Sequence, residues 1–369
     1  MIERMRFEPI EGLRGYLALW VAAGHAMQFT VMGQHLGPLD PTAAVQSFMI
    51  VSGFVITHLV LAKDERYQIY IMRRFFRLFP AYVVCIGISW FIVDQAYLAP
   101  SSLPWSKDPA FAPYIQRYRF RALLVDMQPI QHLFAHISML HGAIPPKVLP
   151  EAARTILTPA WSISLEWQFY IIAPLIIALM RRSRGVLIVC ASIIAGIIFS
   201  RASPLGRFDE GFIAFSGYFL VIGVASRIAL PRIAAISFDP FASGLFICIC
   251  LVLLTRSPLG LVPWAIIYPF LVAEAAGKKS KFLHAVLANP LSLWVGKISY
   301  SIYLTHFIIL VLLVKLAVTI DQDVSQISLI VILLTGISAT IAASAALYYA
   351  VERPSIILAR YLARSMQKH

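Results

Sequence analysis

The chain has 369 residues, of which 59% are hydrophobic and 13% charged, and its mean hydropathy is +0.77. That balance excludes a water-soluble domain of ordinary composition. The formal charge of +13 would suggest a nucleic-acid partner in a soluble chain, but in a membrane protein it reads as basic loops held on one side, and no nucleic acid is expected.

Apolar stretches long enough to cross a hydrocarbon core of roughly 30 Å as helices predict ten spans, at 12–32, 42–62, 78–98, 160–180, 185–200, 211–229, 241–256, 260–276, 297–318 and 326–348. Backbone groups in lipid must be satisfied within their own segment. The expected fold class is therefore all-α, a polytopic membrane helix bundle forming a single domain over 1–369, with no internal repeat or soluble appendage. The first apolar run is too long for a signal-peptide core and is interrupted by Arg14, Trp20 and His25, so it is expected to be retained.

With a cytoplasmic N-terminus, the segments left inside hold 20 Lys and Arg, against three in the short outer loops, Arg201, Arg207 and Arg256. The positive-inside rule then places both termini on the cytoplasmic side of the membrane. Treating the His-bearing stretch 120–141 as a crossing would put Arg181, Arg182 and Arg184 outside, so it is read as interfacial or re-entrant. Cys85, Cys190, Cys248 and Cys250 all fall in apolar runs and are read as packing residues rather than a disulfide or zinc framework. His132 and His136, one turn apart, could join His141 at a metal, but no carboxylate completes a metalloprotease motif, and no metal is expected.

Ionisable residues inside the spans carry the functional information, because each costs roughly 2.5–3.5 kcal/mol at a helix centre on insertion scales. Arg14 and His25 lie eleven residues apart on one face of the first span, about 16 Å along its axis. The fourth span opens TPAWSISLEWQFYIIAP; counted from its boundary, Glu166 has a depth similar to that of His25, with Ser162 and Tyr170 one turn to either side on the same face. In KISYSIYLTHFIILV of the ninth span, Ser299, Tyr303 and His306 follow helical spacing. Trp20, Trp161 and Trp167 fit interface or core aromatics. In KDERYQIYIMRRFFRLFPAY, Arg73, Arg74 and Arg77 cluster where the chain re-enters the membrane; anionic lipid contact and the grip of a nucleotide-like phosphate are both open to such a cluster. Ser52 and Gly53, in FMIVSGFVI, would permit close helix approach or backbone access to a ligand.

Taken in order, EGLRGYLALWVAAGH, FMIVSGFVI, RRFFRLFP, AHISMLHG, LTPAWSISLEWQFY, KISYSIYLTHF and VERP resemble the acyltransferase-3 family of membrane O-acyltransferases. The resemblance implies a bundle of about ten spans that uses cytoplasmic acyl-CoA, acetyl-CoA foremost, to acylate a carbohydrate or other acceptor beyond the membrane. It implies that His25 is the catalytic histidine, Arg14 its partner arginine, and Arg74 and Arg77 part of an arginine motif. Glu166, Tyr170, His306 and Glu352 match further motif positions. Trp167 departs from the pattern, since a second acidic residue often follows the glutamate. The soluble catalytic extension of some members is not expected here.

The expected chemistry is general-base attack, with neutral His25 taking the proton of an acceptor hydroxyl as its oxygen attacks the thioester, and Glu166 or another acidic or carbonyl group orienting the ring. Arg73, Arg74 and Arg77 would hold the phosphates, and Ser52, Tyr170, Tyr303 and His306 are candidate substrate contacts. A covalent acyl-enzyme on His25 or Ser52 is the mechanistic alternative. Membrane lipids are the remaining expected contacts. The rival reading is a proton-coupled or sugar transporter, because intramembrane His, Glu and Arg also mark ion paths.

Overall fold

The computed structural model describes residues 5, 7–35, 37, 40–63, 65–236 and 258–367. Among them there is no strand, and short turns join helix to helix. Among the described residues, six helices are long and apolar enough to cross a membrane: α2 (Pro41–Ala62), α3 (Tyr67–Ile92), α7 (Trp161–Met180, entered through a tight turn from Thr158), α8 (Ser183–Ala202), α14 (Ser299–Ile320), and a continuous run Gln326–Met366. They overlap the expected spans 42–62, 78–98, 160–180, 185–200, 297–318 and 326–348, closely except at 78–98 and beyond 348. The expected span 241–256 lies outside the described residues, with Cys248 and Cys250. Of the other two cysteines, Cys85 is buried and Cys190 is exposed, both as free thiols.

The boundaries differ from expectation in instructive ways. The first helix, α1, covers Glu8–Met27 rather than 12–32. It stops because the chain doubles back: the Thr30 hydroxyl donates to the Met27 carbonyl (2.8 Å) and accepts from the Gly33 N–H (3.1 Å). A Cβ on Gly33 would collide with that same carbonyl oxygen, so only glycine fits the fold-back.

Helix α3 starts at Tyr67, eleven residues before the expected span, and takes the arginine cluster into its second and third turns. Pro80 is absorbed within it. The stretch 120–141 is not one element, and neither helix within it is among those long and apolar enough to cross a membrane. It forms α5 (Ala112–Met127) and α6 (Pro129–Ile137), broken at Gln128 because a residue before proline is pushed out of helical conformation. Phe120, Met127, Ile130 and Phe134 project outward from this pair, as suits an interfacial element.

The expected span 211–229 is also two pieces, α9 (Ile213–Ser216) and α10 (Tyr218–Ala234), and Arg227 is a buried residue of α10. Its Nε donates to His58 Nδ1 of α2 (3.0 Å), and the other ring nitrogen of His58 meets the Met5 carbonyl (2.9 Å). The segment that follows the last expected span is helical. Helix α15 (Gln326–Leu347) passes through a π-helical turn, Tyr348–Glu352, into α16 (Arg353–Met366), which lies against α3.

Helix α2 occupies the centre. It packs against α1 on one side and α7 and α10 on another. The α2–α10 contact is reciprocal: Gly53 sits on the Leu220 carbonyl and Gly223 on the Ile50 carbonyl. Small residues at matched positions let two backbones approach, the usual basis of tight helix packing in membranes. Helix α14 is largely buried, whereas α8 shows Leu187, Ile188, Ile194, Ile198 and Phe199 at the surface, as a lipid-facing helix should.

Candidate active site

A cavity opens among α1, α2, α3, α7 and α14, with about 90 Å³ available to the centres of water molecules, room for several waters. Its polar lining is Arg14, Ser52, Arg74, Arg77, Ser162, Glu166, Tyr170, Ser299, Tyr300 and Tyr303. Eight of the ten sequence-derived site residues bear on it directly or through one contact; Arg73 and His25 lie elsewhere.

Glu166 is held by neutral donors. Ser52 Oγ donates to its Oε1 at 2.6 Å and the Tyr170 hydroxyl at 2.5 Å. The Ser52 bond spans α2 to α7, and Tyr170 is one turn along from Glu166 on its own helix. The Arg74 guanidinium lies over the Tyr170 ring, 5.9 Å from its centroid, and that of Arg77 over Tyr300 at 5.5 Å.

The arginines divide into paired and unpaired. Arg77 is matched by Glu352, buried in the π-helical turn, whose second oxygen accepts from Ser301 Oγ at 2.7 Å. Arg73 turns away from the cavity, 3.4 Å from Glu65. It therefore does not join Arg74 and Arg77 as expected: adjacent helical positions diverge by 100°, and the cavity face takes 74 and 77. Arg14 and Arg74 have no carboxylate within ion-pair distance among the described residues, and the Nε of Arg74 is buried without a hydrogen-bond partner. With Arg14, Arg74 and Arg77 set against the carboxyls of Glu166 and Glu352, guanidinium groups outnumber carboxyls around the cavity, which favours an anionic ligand.

His25 does not meet Glu166. Because α1 ends at Met27, His25 lies in its last turn, whereas Glu166 lies in the second turn of α7, with α2 packed between the two helices. Depth counted from the expected end at 32 was displaced by the fold-back at Gly33. The partner of His25 is local: Nδ1 lies 2.9 Å from Gln28 Oε1. An amide oxygen only accepts, so Nδ1 carries the proton and Nε2 keeps its lone pair. His306 stacks on His25, ring centroids 5.2 Å apart at 28°, and Phe307 meets His25 edge-on at 5.8 Å.

Tyr303 joins the two regions. It lines the cavity, and its ring is 5.7 Å from that of His306. Its hydroxyl donates to the Pro159 carbonyl (2.7 Å) and accepts from Ser162 Oγ (2.6 Å). His25 itself is not part of the cavity lining.

Residues 8–349 match the acyltransferase-3 family model, which describes an acyltransferase domain. The chain belongs to that family. The match takes in every residue of the cavity lining, while Glu352 lies just past its end. The chain is similar to the O-acetyltransferase OatA of Staphylococcus aureus strain NCTC 8325 / PS 47, at 24% identity over 379 residues, covering 91% of this chain and 56% of that protein. It is also similar to the putative O-acetyltransferase SAS0844 of Staphylococcus aureus strain MSSA476, at 23% over 339 residues, covering 84% of this chain and 51% of that protein. The chain thus spans about half the length of these relatives. No solved structure matches it. Family membership and the long apolar helices together make it an integral membrane protein.

Two polar arrangements did not follow from the sequence, although their residues stand out in it. One is the Arg77–Glu352 pair, for which the VERP motif after the last span was the available signal. The other is a buried histidine network outside the spanning helices. Thr155 Oγ1 lies between His132 Nδ1 (3.1 Å) and His136 Nε2 (3.3 Å), and the Tyr82 hydroxyl lies between His136 Nδ1 (3.1 Å) and His141 Nδ1 (3.5 Å). His141 Nε2 donates to the Ala160 carbonyl at 3.0 Å. These rings are directed at hydroxyls, and no three His, Cys, Asp or Glu among the described residues converge as a metal site.

Proposed function

We propose that this protein is an integral-membrane O-acyltransferase that moves an acyl group, acetyl in the simplest case, from a cytoplasmic acyl-CoA to a hydroxyl of an extracytoplasmic carbohydrate or glycoconjugate. One observation carries the reading: Arg14 and Arg74, which have no carboxylate within ion-pair distance among the described residues, stand beside Arg77 in a cavity whose wall, Tyr303, touches the His306–His25 stack. Guanidinium groups grip phosphate bidentately, and CoA is a polyanion with a long extended arm. The excess of Lys and Arg in the segments on the arginine side supports a cytoplasmic location for that end, with both termini inside and the protein in the cytoplasmic (inner) membrane of a bacterium.

In this scheme the phosphates rest on Arg14, Arg74 and Arg77, and the thioester approaches His25 past Tyr303. His25 Nε2 takes the proton of the acceptor hydroxyl while the oxygen adds to the thioester carbonyl. The tetrahedral intermediate then expels the CoA sulfur, which recovers the proton from the imidazolium and leaves as the thiol. Gln28 keeps the ring in the tautomer with Nε2 free. Glu166, through Ser52 and Tyr170, shapes the cavity rather than the imidazole. Passage of the thioester requires Tyr303 to swing away from Ser162 and Pro159. Only the acyl group crosses the membrane.

The test is titration of acetyl-CoA into protein in lipid nanodiscs, followed by thiol release on adding envelope glycoconjugate. Saturable binding and acceptor-dependent release of CoA are expected. No affinity for acetyl-CoA, together with sugar or proton flux in proteoliposomes lacking it, would instead make the protein a transporter.

A further inference from the structure

A second, smaller pocket lies beyond the histidine pair. Its lining includes Ser89 of α3, Tyr118 and Arg121 of α5, Thr155 and Thr158 of the following connection, and Phe307 of α14. The two pockets share α3 and α14 at successive levels. On α14, Ser299, Tyr300 and Tyr303 line the arginine cavity, Phe307, Ile308 and Val311 line the second pocket, and His306 falls between them. On α3, Ser89 is twelve residues past Arg77, roughly 18 Å along the axis. Phe307 both walls the second pocket and touches the ring of His25.

Ser89 supplies an independent observation. It is only 3% exposed, yet its hydroxyl has no hydrogen-bond partner among the described residues. A helical serine ordinarily bonds back to the carbonyl four residues earlier. The hydroxyls of Thr155 and Thr158 are already engaged, with the histidines and with the Arg154 carbonyl. Ser89 is therefore a buried polar group presented to a pocket and left for a ligand to satisfy.

The rest of the lining indicates the ligand's chemistry. Tyr118 and Phe307 stack at 5.7 Å as apolar ring walls, and Arg121, bonded to Glu151 at 2.9 Å, lies over the face of Tyr118. Apolar walls with one or two fixed polar groups suit the hydroxyl-bearing edge of a sugar. The volume, about 20 Å³ for water centres, admits a single hydroxyl or hydroxymethyl tip.

Resting on the acyltransferase reading above, we infer that this pocket is the acceptor subsite, where Ser89 hydrogen-bonds a carbohydrate hydroxyl beside His25 on the side away from the arginine cavity. The test uses Ser89→Cys in whole cells, with a membrane-impermeant sulfonatoethyl thiosulfonate added outside and the unsubstituted protein as control. The reagent is expected to label the variant selectively and to lower O-acyl incorporation into the envelope by roughly tenfold or more, with acetyl-CoA affinity of the labelled protein unchanged. Ser89→Ala, which cannot overfill the pocket, should also lower incorporation without altering acetyl-CoA affinity.

Absence of labelling from outside overturns the subsite, as does labelling that leaves incorporation intact or that abolishes acetyl-CoA binding. Should the unsubstituted protein bind no acetyl-CoA, the acyltransferase reading fails by itself, and the labelling result still reports whether the pocket opens outward.

Discussion

His306 stacks on His25 while its own Nδ1 donates to the Ile302 carbonyl at 3.2 Å, which leaves His306 Nε2 buried and without a hydrogen-bond partner among the described residues. The two rings thus share an orientation of chemistry: each spends Nδ1–H on a local oxygen and keeps Nε2 as an acceptor. A buried acceptor left unsatisfied costs about 1–3 kcal/mol, and in the proposed reaction a substrate hydroxyl is what would satisfy it.

Replacing His306 by Phe preserves a ring against His25 and removes the acceptor nitrogen. The expected result is a drop in acyl transfer of roughly 10²-fold with little change in thermal stability or acetyl-CoA affinity. Transfer rates and nanodisc binding isotherms for the variant check both halves.

Glu352 is expected to hold Arg77 in place. Glu352→Gln strips the charge from a carboxylate that is fully buried against Arg77 and leaves the guanidinium without its counter-ion. Breaking a buried pair on one side costs about 3–5 kcal/mol, so a marked fall in melting temperature in detergent is predicted. Replacing Arg73, whose partner Glu65 lies outside the cavity, should leave acetyl-CoA affinity unaltered.

The His132–His136–His141 network predicts a pH dependence of stability. Burial pushes His132 and His141 down to about 4 and His136 well below its ordinary value, with neighbouring histidines adding to the last shift. The folded protein therefore keeps these rings neutral, while the unfolded chain takes up protons near 6.5. Because the unfolded state binds more protons between about 6.5 and 4, stability falls as the pH drops through that window and is flat above it. The slope is on the order of 1.4 kcal/mol per pH unit for each ring. Melting curves at pH 7.5, 6 and 5 should show the decline, and His132→Leu should make it shallower by about one ring's share.

Much of this was legible in the sequence because lipid imposes a simple rule: a long apolar run is a helix, and an ionisable residue within one is conspicuous. Arg14, Ser52, Glu166, Tyr170 and Tyr303 were each visible on those grounds, and the structure brings them around one cavity. What failed was depth and pairing. Counting from a boundary at 32 put His25 level with Glu166, but the turn held by Thr30 and Gly33 ends the helix at Met27 and leaves the histidine at its tip. The span expected to end at 229 ran short because hydropathy falls at charges such as Arg232, whereas the helix continues to Ala234 and seats Arg227 on His58. The Arg77–Glu352 pair joins residues far apart in sequence, and such contacts follow from packing that no local pattern encodes.

The central claim is that donor binding and chemistry are separate functions of the arginine cavity and of His25. The measurement that tests it most directly compares His25→Ala with Arg74→Gln for acetyl-CoA affinity and for acyl transfer in the same nanodisc preparation. His25→Ala should bind acetyl-CoA like the unsubstituted protein and transfer nothing, and Arg74→Gln should lose affinity. Transfer at the normal rate by His25→Ala would contradict the account.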